Sequence, residues 1–134
     1  MPAPEPYLHF PGNAREALTF YHEVFGGELT LHTFGEFGRN DGPTEAIAHG
    51  VLKGAVSLCA ADTAGDEEPF HSTGLMFSLL GTTSPTELRS WFAALAEGGT
   101  ILDDLQVRPW GATDGQVLDR HHVRWLIGFE DAER

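Results

Sequence analysis

Two stretches of this chain follow one plan, and a fold has to satisfy it twice. Phe20-Tyr21-His22-Glu23-Val24-Phe25 ends an amphipathic run, Gly26-Gly27 breaks it, and Glu28-Leu29 re-enters an extended segment. Phe92-Ala93-Ala94-Leu95-Ala96-Glu97, Gly98-Gly99 and Thr100-Ile101 do the same later. A strand-like piece precedes each copy (Tyr7 to Phe10, then Leu75 to Leu80), and further strand-like pieces follow. A duplicated unit in 134 residues predicts a pseudo-symmetric α+β fold: two βαβββ modules forming a curved mixed sheet with a central cavity. The expected limits are one domain over 1–134, with module one at about 6–61, a linker at about 62–71 and module two at about 72–130.

Local signals support each element. Leu8 and Phe10 share one strand face, and Tyr7 and His9 share the other. Asn13 is positioned to cap a helix that carries Ala17, Leu18, Tyr21, Val24 and Phe25 at helical spacing. Glycine at its end tolerates the left-handed conformation that closes a helix. Residues 28–34 alternate as a strand, 35–43 form a polar loop, and 45–52 with 55–60 read as a hairpin around Lys53-Gly54. The second half opens with an apolar strand at 74–80. Ser84, Pro85 and Glu87 then spell a helix start, and the helix buries Leu88, Trp91, Phe92 and Leu95. Strands are expected at 100–105, 115–119 and 123–129.

Charge excludes some functions. Twenty acids against eight bases leave a formal net charge of −12, which repels phosphate backbones and argues against nucleic-acid binding. No apolar window is long enough to span a bilayer, and the first residues lack the basic start and apolar core of a secretory signal, so a cytoplasmic protein is expected. The single Cys59 lies in an apolar run and reads as a core residue.

With repeat, helices and strand count together, the chain resembles the vicinal-oxygen-chelate superfamily of glyoxalases, bleomycin-resistance proteins and extradiol dioxygenases. It is most similar to the PhnB-like branch. The residues carrying the resemblance are Pro6-Tyr7-Leu8, Phe10, Gly12-Asn13-Ala14, Glu16-Ala17, Phe20-Tyr21, Phe25-Gly26-Gly27-Glu28-Leu29 and Ile47-Ala48-His49. Leu105-Gln106, Trp110, Val117, Asp119-Arg120, Val123 and Trp125 extend it across nearly the whole chain. The resemblance implies a homodimer. It also implies that metal-using relatives place four His or Glu ligands on cavity-facing strands, two per half. In this sequence the matching positions fall on His49, on Glu5 or Pro6, and near Leu75 and Leu126. Leucine cannot bind a metal, and a catalytic divalent site normally has at least three protein ligands, so no metal is expected. No glycine-rich cofactor loop follows the first strand, and no cofactor is expected.

Strand parity supplies candidate ligand-binding residues. Tyr7 and His9 are expected to look into the cavity, and the resemblance implies that His49, with Ile47 and Val51, faces inward as well. Arg124, Leu126 and Gly128 share the face opposite Val123, Trp125 and Ile127; Arg124 either joins the cavity or reaches solvent. Trp110, in Arg108-Pro109-Trp110-Gly111, either closes over a ligand or caps the core. His9 or His49 could act as a general base. The resulting expectation is a protein that binds a small organic molecule without a catalytic metal. The alternatives are a divalent-metal lyase, isomerase or dioxygenase, and a drug-sequestering protein.

Overall fold

Alternation between apolar and polar side chains builds the first strand, β1 (Tyr7–Phe10), which buries Leu8 and Phe10 and leaves Tyr7 exposed and His9 half-buried. In the computed structural model, which describes residues 3–71 and 73–130, helix α1 (Ala14–Phe25) follows. It buries Ala17, Leu18, Tyr21 and Phe25 against the sheet. Then come β2 (Glu28–Thr33), β3 (Ile47–Lys53) and β4 (Leu58–Asp62). The second half repeats the series as β5 (Phe77–Leu80), α2 (Pro85–Ala96), β6 (Thr100–Val107), β7 (Ala112–Leu118) and β8 (Arg124–Glu130).

The two sheets have one connectivity. The first runs β1-β4-β3-β2 and the second β5-β8-β7-β6. In each, the opening strand lies parallel to the closing strand and the other neighbours are antiparallel. The chain is thus an α+β protein of two βαβββ units, Met1–His71 and Ser72–Arg134, each with an open four-stranded sheet. Leu18, Tyr21, Leu52 and Leu58 centre the first core, and Leu88, Leu95, Trp125 and Ile127 the second, all almost fully buried.

The repeated glycine pair has a steric cause. The first glycine of each pair, Gly26 or Gly98, takes φ +74°, and Gly26 N–H closes α1 onto the His22 carbonyl. The second lies against a neighbouring strand. A Cβ on Gly27 would come within 2.3 Å of the Lys53 carbonyl oxygen, and one on Gly99 within 2.3 Å of the Leu118 carbonyl oxygen. The helix exit and the adjacent hairpin are in backbone contact in both units.

Four local details differ from the sequence reading. Asn13 makes no side-chain cap bond; the Asp62 carboxylate accepts the Ala14 N–H at 2.9 Å and the Ile47 N–H at 2.8 Å. Asp62 therefore ends β4, buried, rather than opening a linker. β5 begins at Phe77, where pairing with Trp125 of β8 begins, and Leu75 and Met76 before it are exposed. Finally, a bulge interrupts β2 and β3 between His32 and Thr33. His32 pairs with His49, but Thr33 pairs with Ile47. That slip turns Ile47 away from His49 and into the helix-covered core, where it is fully buried. Ser84 behaves as expected: its hydroxyl accepts the Glu87 N–H at 3.1 Å.

Candidate functional site

Helix α1 covers one face of the first sheet, and pairing register defines the other. Tyr7 stands beside Cys59 and His9 beside Ala61 across β1 and β4; Cys59 stands beside Val51 across β4 and β3; His49 stands opposite His32 across β3 and β2. Partners in register share a face, so Tyr7, His9, His32, His49, Val51 and Cys59 form one surface. His32, whose face parity alone left undecided, belongs to it.

At its centre the Tyr7 hydroxyl lies 2.9 Å from His49 Nδ1, and the two rings stack with centroids 5.6 Å apart. The His9 ring also lies against Tyr7, tilted, with ring centroids 5.3 Å apart. Burial pushes the Tyr7 phenol above its ordinary pKa; Cys59 adds to the rise and Arg39 opposes it. The phenol therefore stays protonated near neutrality and is able to donate to His49 Nδ1, with the imidazole proton then on Nε2. At the rim, Glu5 accepts from Lys53 at 2.8 Å and from the Cys59 thiol at 3.8 Å. Burial, then the Glu5 carboxylate, push the Cys59 thiol above its usual range, while Lys53 pulls the other way. His32 stacks on Phe37 and pairs with Glu36, whose carboxyl is held low, first by the Thr33 N–H and then by His32.

The two remaining sequence candidates lie in the second unit. Arg124 on β8 is half-buried and donates through Nε and Nη2 to Gln116 Oε1, with Nη1 toward the Thr73 carbonyl. Trp110 stands on the turn between β6 and β7 and is 72% exposed, so it caps no core of its own unit. Val123, Trp125 and Ile127 are buried on the helix side, with Arg124 and Leu126 alternating to the other. Beside Trp110 the Arg108 guanidinium bridges Asp103 at 2.6 Å and Asp114 at 2.7 Å, a clamp that no local motif announces.

This architecture has a family. The sequence profile of the Glyoxalase/Bleomycin resistance protein/Dioxygenase superfamily matches residues 6–127. The chain belongs to that superfamily. Protein YjdN of Escherichia coli (strain K12) is 29% identical to this chain over 135 residues, spanning 91% of each chain. The crystal structure of protein PA1353 from Pseudomonas aeruginosa superposes with a TM-score of 0.80 at 33% identity, covering 97% of this chain and 98% of that one. The PhnB protein from Bacillus cereus shares the fold, with a TM-score of 0.77 at 19% identity over 96% and 99% of the two chains.

Some members of the glyoxalase superfamily hold a divalent ion, so its fit can be tested on the donor set. Among the described residues, no three His, Cys, Asp or Glu side chains group closely enough to share an ion. His49 Nδ1 faces Tyr7, and Glu5 is engaged by Lys53. The resemblance puts the second-half ligand positions near Leu75 and Leu126, whose side chains have no donor atom. The residues present do not fit the group, and no step is derived through it.

Proposed function

We propose that this glyoxalase-superfamily protein, PhnB-like in its resemblance, binds a small organic molecule against the open face of its first sheet without a catalytic metal. The observation that carries the reading is the Tyr7–His49 hydrogen bond at 2.9 Å, which joins a protonated phenol to an imidazole on a face that Val51, Cys59 and Ala61 share with His9 and His32. A few convergent polar groups on an apolar wall are the usual make-up of a small-ligand site. With Tyr7 donating, the Nε2–H of His49 and the ring of His9 offer one donor and one further polar group to an oxygen-bearing ligand. Such a pair could also relay a proton, which would make the protein an enzyme rather than a carrier.

Net charge favours a second reading. At −12 the chain attracts organic cations, as a drug-sequestering protein would. The resemblance also supports a homodimer, and the charge supports the absence of a nucleic-acid partner. Among the described residues no helix is long and apolar enough to cross a membrane.

A thermal-shift screen of small organic molecules, on chelator-treated protein, tests the main reading. Hits should raise the melting temperature with concentration, and His49→Ala and Tyr7→Phe should each weaken that response. Recovery of the compound unchanged marks sequestration, whereas conversion marks an enzyme. Hits that appear only after a divalent ion is added would overturn the reading.

A further inference from the structure

The second unit holds a cavity of about 640 Å³ that the first-sheet site does not use. Leu80, Pro85 and Phe129 give it an apolar wall, Trp110 stands in its lining, and Asp114 and Glu130 supply its carboxylates. Its lining contains no lysine, arginine or histidine. An indole 72% exposed beside a cavity is an unusual position for tryptophan, the largest apolar side chain.

The turn that carries the indole is held in place. The Arg108 N–H donates to the Ala112 carbonyl at 2.7 Å and the Gly111 N–H to the Arg108 carbonyl at 2.9 Å, which closes the turn that carries Trp110. The Arg108 guanidinium clamps the base of that turn through Asp103 and Asp114. With the turn backbone already ordered, only the indole's own rotamer freedom is lost when it meets a ligand. Arg108 is shared by Asp103 and Asp114, so one guanidinium offsets only one of the two carboxylates, and the exposed Glu130 carboxylate adds a further negative charge to the lining.

We infer that this cavity binds a planar organic cation, stacked on the Trp110 indole with its charge toward Glu130. A flat π face attracts cations and flat rings alike, the carboxylate sets the sign of the charge, and the −12 chain raises the local cation concentration. This inference rests on the organic-cation reading above, for which it names the site, and stands independently of the first-sheet reading.

The experiment titrates proflavine, a planar cation, and 1-pyrenesulfonate, a planar anion, into the full chain while following tryptophan fluorescence. Trp91 and Trp125 are 4% and 1% exposed, so Trp110 accounts for the accessible signal. Proflavine should quench saturably at one site per chain, with the sulfonate at least tenfold weaker. Proflavine affinity, read by its own fluorescence, should fall at least tenfold in Trp110→Ala and several-fold in Glu130→Gln. It should persist in Trp110→Phe, which keeps a ring, and in His49→Ala. Circular dichroism confirms that each variant is folded. Equal binding of the anion, unchanged affinity in Trp110→Ala and Glu130→Gln, or no saturable binding would each overturn the inference. Loss of binding in His49→Ala alone would also overturn it and would move the cation to the first sheet.

Discussion

The Asp119 carboxylate accepts the Trp125 indole N–H at 2.9 Å through one oxygen and the His121 and Val123 N–H groups at 2.7 and 3.1 Å through the other. Both Asp119 and Trp125 are almost fully buried. One side chain thereby fixes the turn between β7 and β8 and the largest residue of the second core. Asp119→Ala removes a charged acceptor from three donors. Since a hydrogen bond to a charged group contributes about 1.5–3 kcal/mol and an orphaned buried donor costs a similar amount, the expected loss is about 3 kcal/mol or more. Urea unfolding at neutral pH measures it, and Asp119→Asn, which keeps one acceptor oxygen, should lose less.

Asp62 does the corresponding work in the first unit, joining the start of α1 to the start of β3. A carboxylate beside a helix N-terminus also meets the positive end of the helix dipole. Asp62→Ala should cost about 2–3 kcal/mol by the same bookkeeping. A loss below about 0.5 kcal/mol, the size of an ordinary surface change, would contradict the bridging role.

Gly99→Ala places a methyl group 2.3 Å from the Leu118 carbonyl oxygen. The clash is with backbone, which cannot swing aside, so the cost should lie at or above the usual overpacking range of about 1–3 kcal/mol. Gly12→Ala is the informative comparison. Gly12 has φ +102° but open space around its Cβ direction, so only conformational strain acts there. Chemical denaturation of both variants should rank Gly99→Ala as the more damaging.

Stability should respond to pH through Tyr7. Burial raises its pKa in the folded protein, so the fold holds that proton more tightly than the unfolded chain does. The contribution is complete below the ordinary phenol value of about 10 and is lost as pH rises through the folded value. Tyr7→Phe has no such proton. Relative to that variant, the wild type should lose stability as pH is raised above about 10. Parallel curves for the two proteins would exclude the effect.

Cys59 is the chain's one thiol, so its reactivity reads out without ambiguity. Burial and the Glu5 carboxylate raise its pKa and suppress the reactive thiolate. Glu5→Gln removes that carboxylate and frees Lys53 from its ion pair. Both changes favour thiolate, so disulfide exchange with a chromogenic reagent near pH 8 should accelerate several-fold. Lys53→Met should slow it.

Much of the architecture was written locally. The helix-ending glycines Gly26 and Gly98, the Ser84-Pro85-Glu87 helix start and the strand parity of Leu8 and Phe10 each depend on neighbours a few residues away, and each recurs in the fold. Features set by distant partners were not legible. Asp62 looked like the first residue of an acidic linker, because the N–H groups it accepts belong to Ala14 and Ile47. The resemblance placed Ile47 on one face with His49, because a bulge leaves no mark in a run of apolar residues. The face of His32 followed only from its pairing with His49. The Arg108 clamp needed two irregularities in the β6–β7 register that no turn signal announces.

The most direct test of the first-sheet site is imidazole nitrogen NMR of chelator-treated protein, titrated with a compound found in the thermal-shift screen. Ring nitrogen shifts of His49 and His9 should move saturably with the same affinity as the thermal response, while those of His22 and His121 stay fixed. A compound that stabilises the protein yet leaves His49 and His9 unmoved would contradict the account.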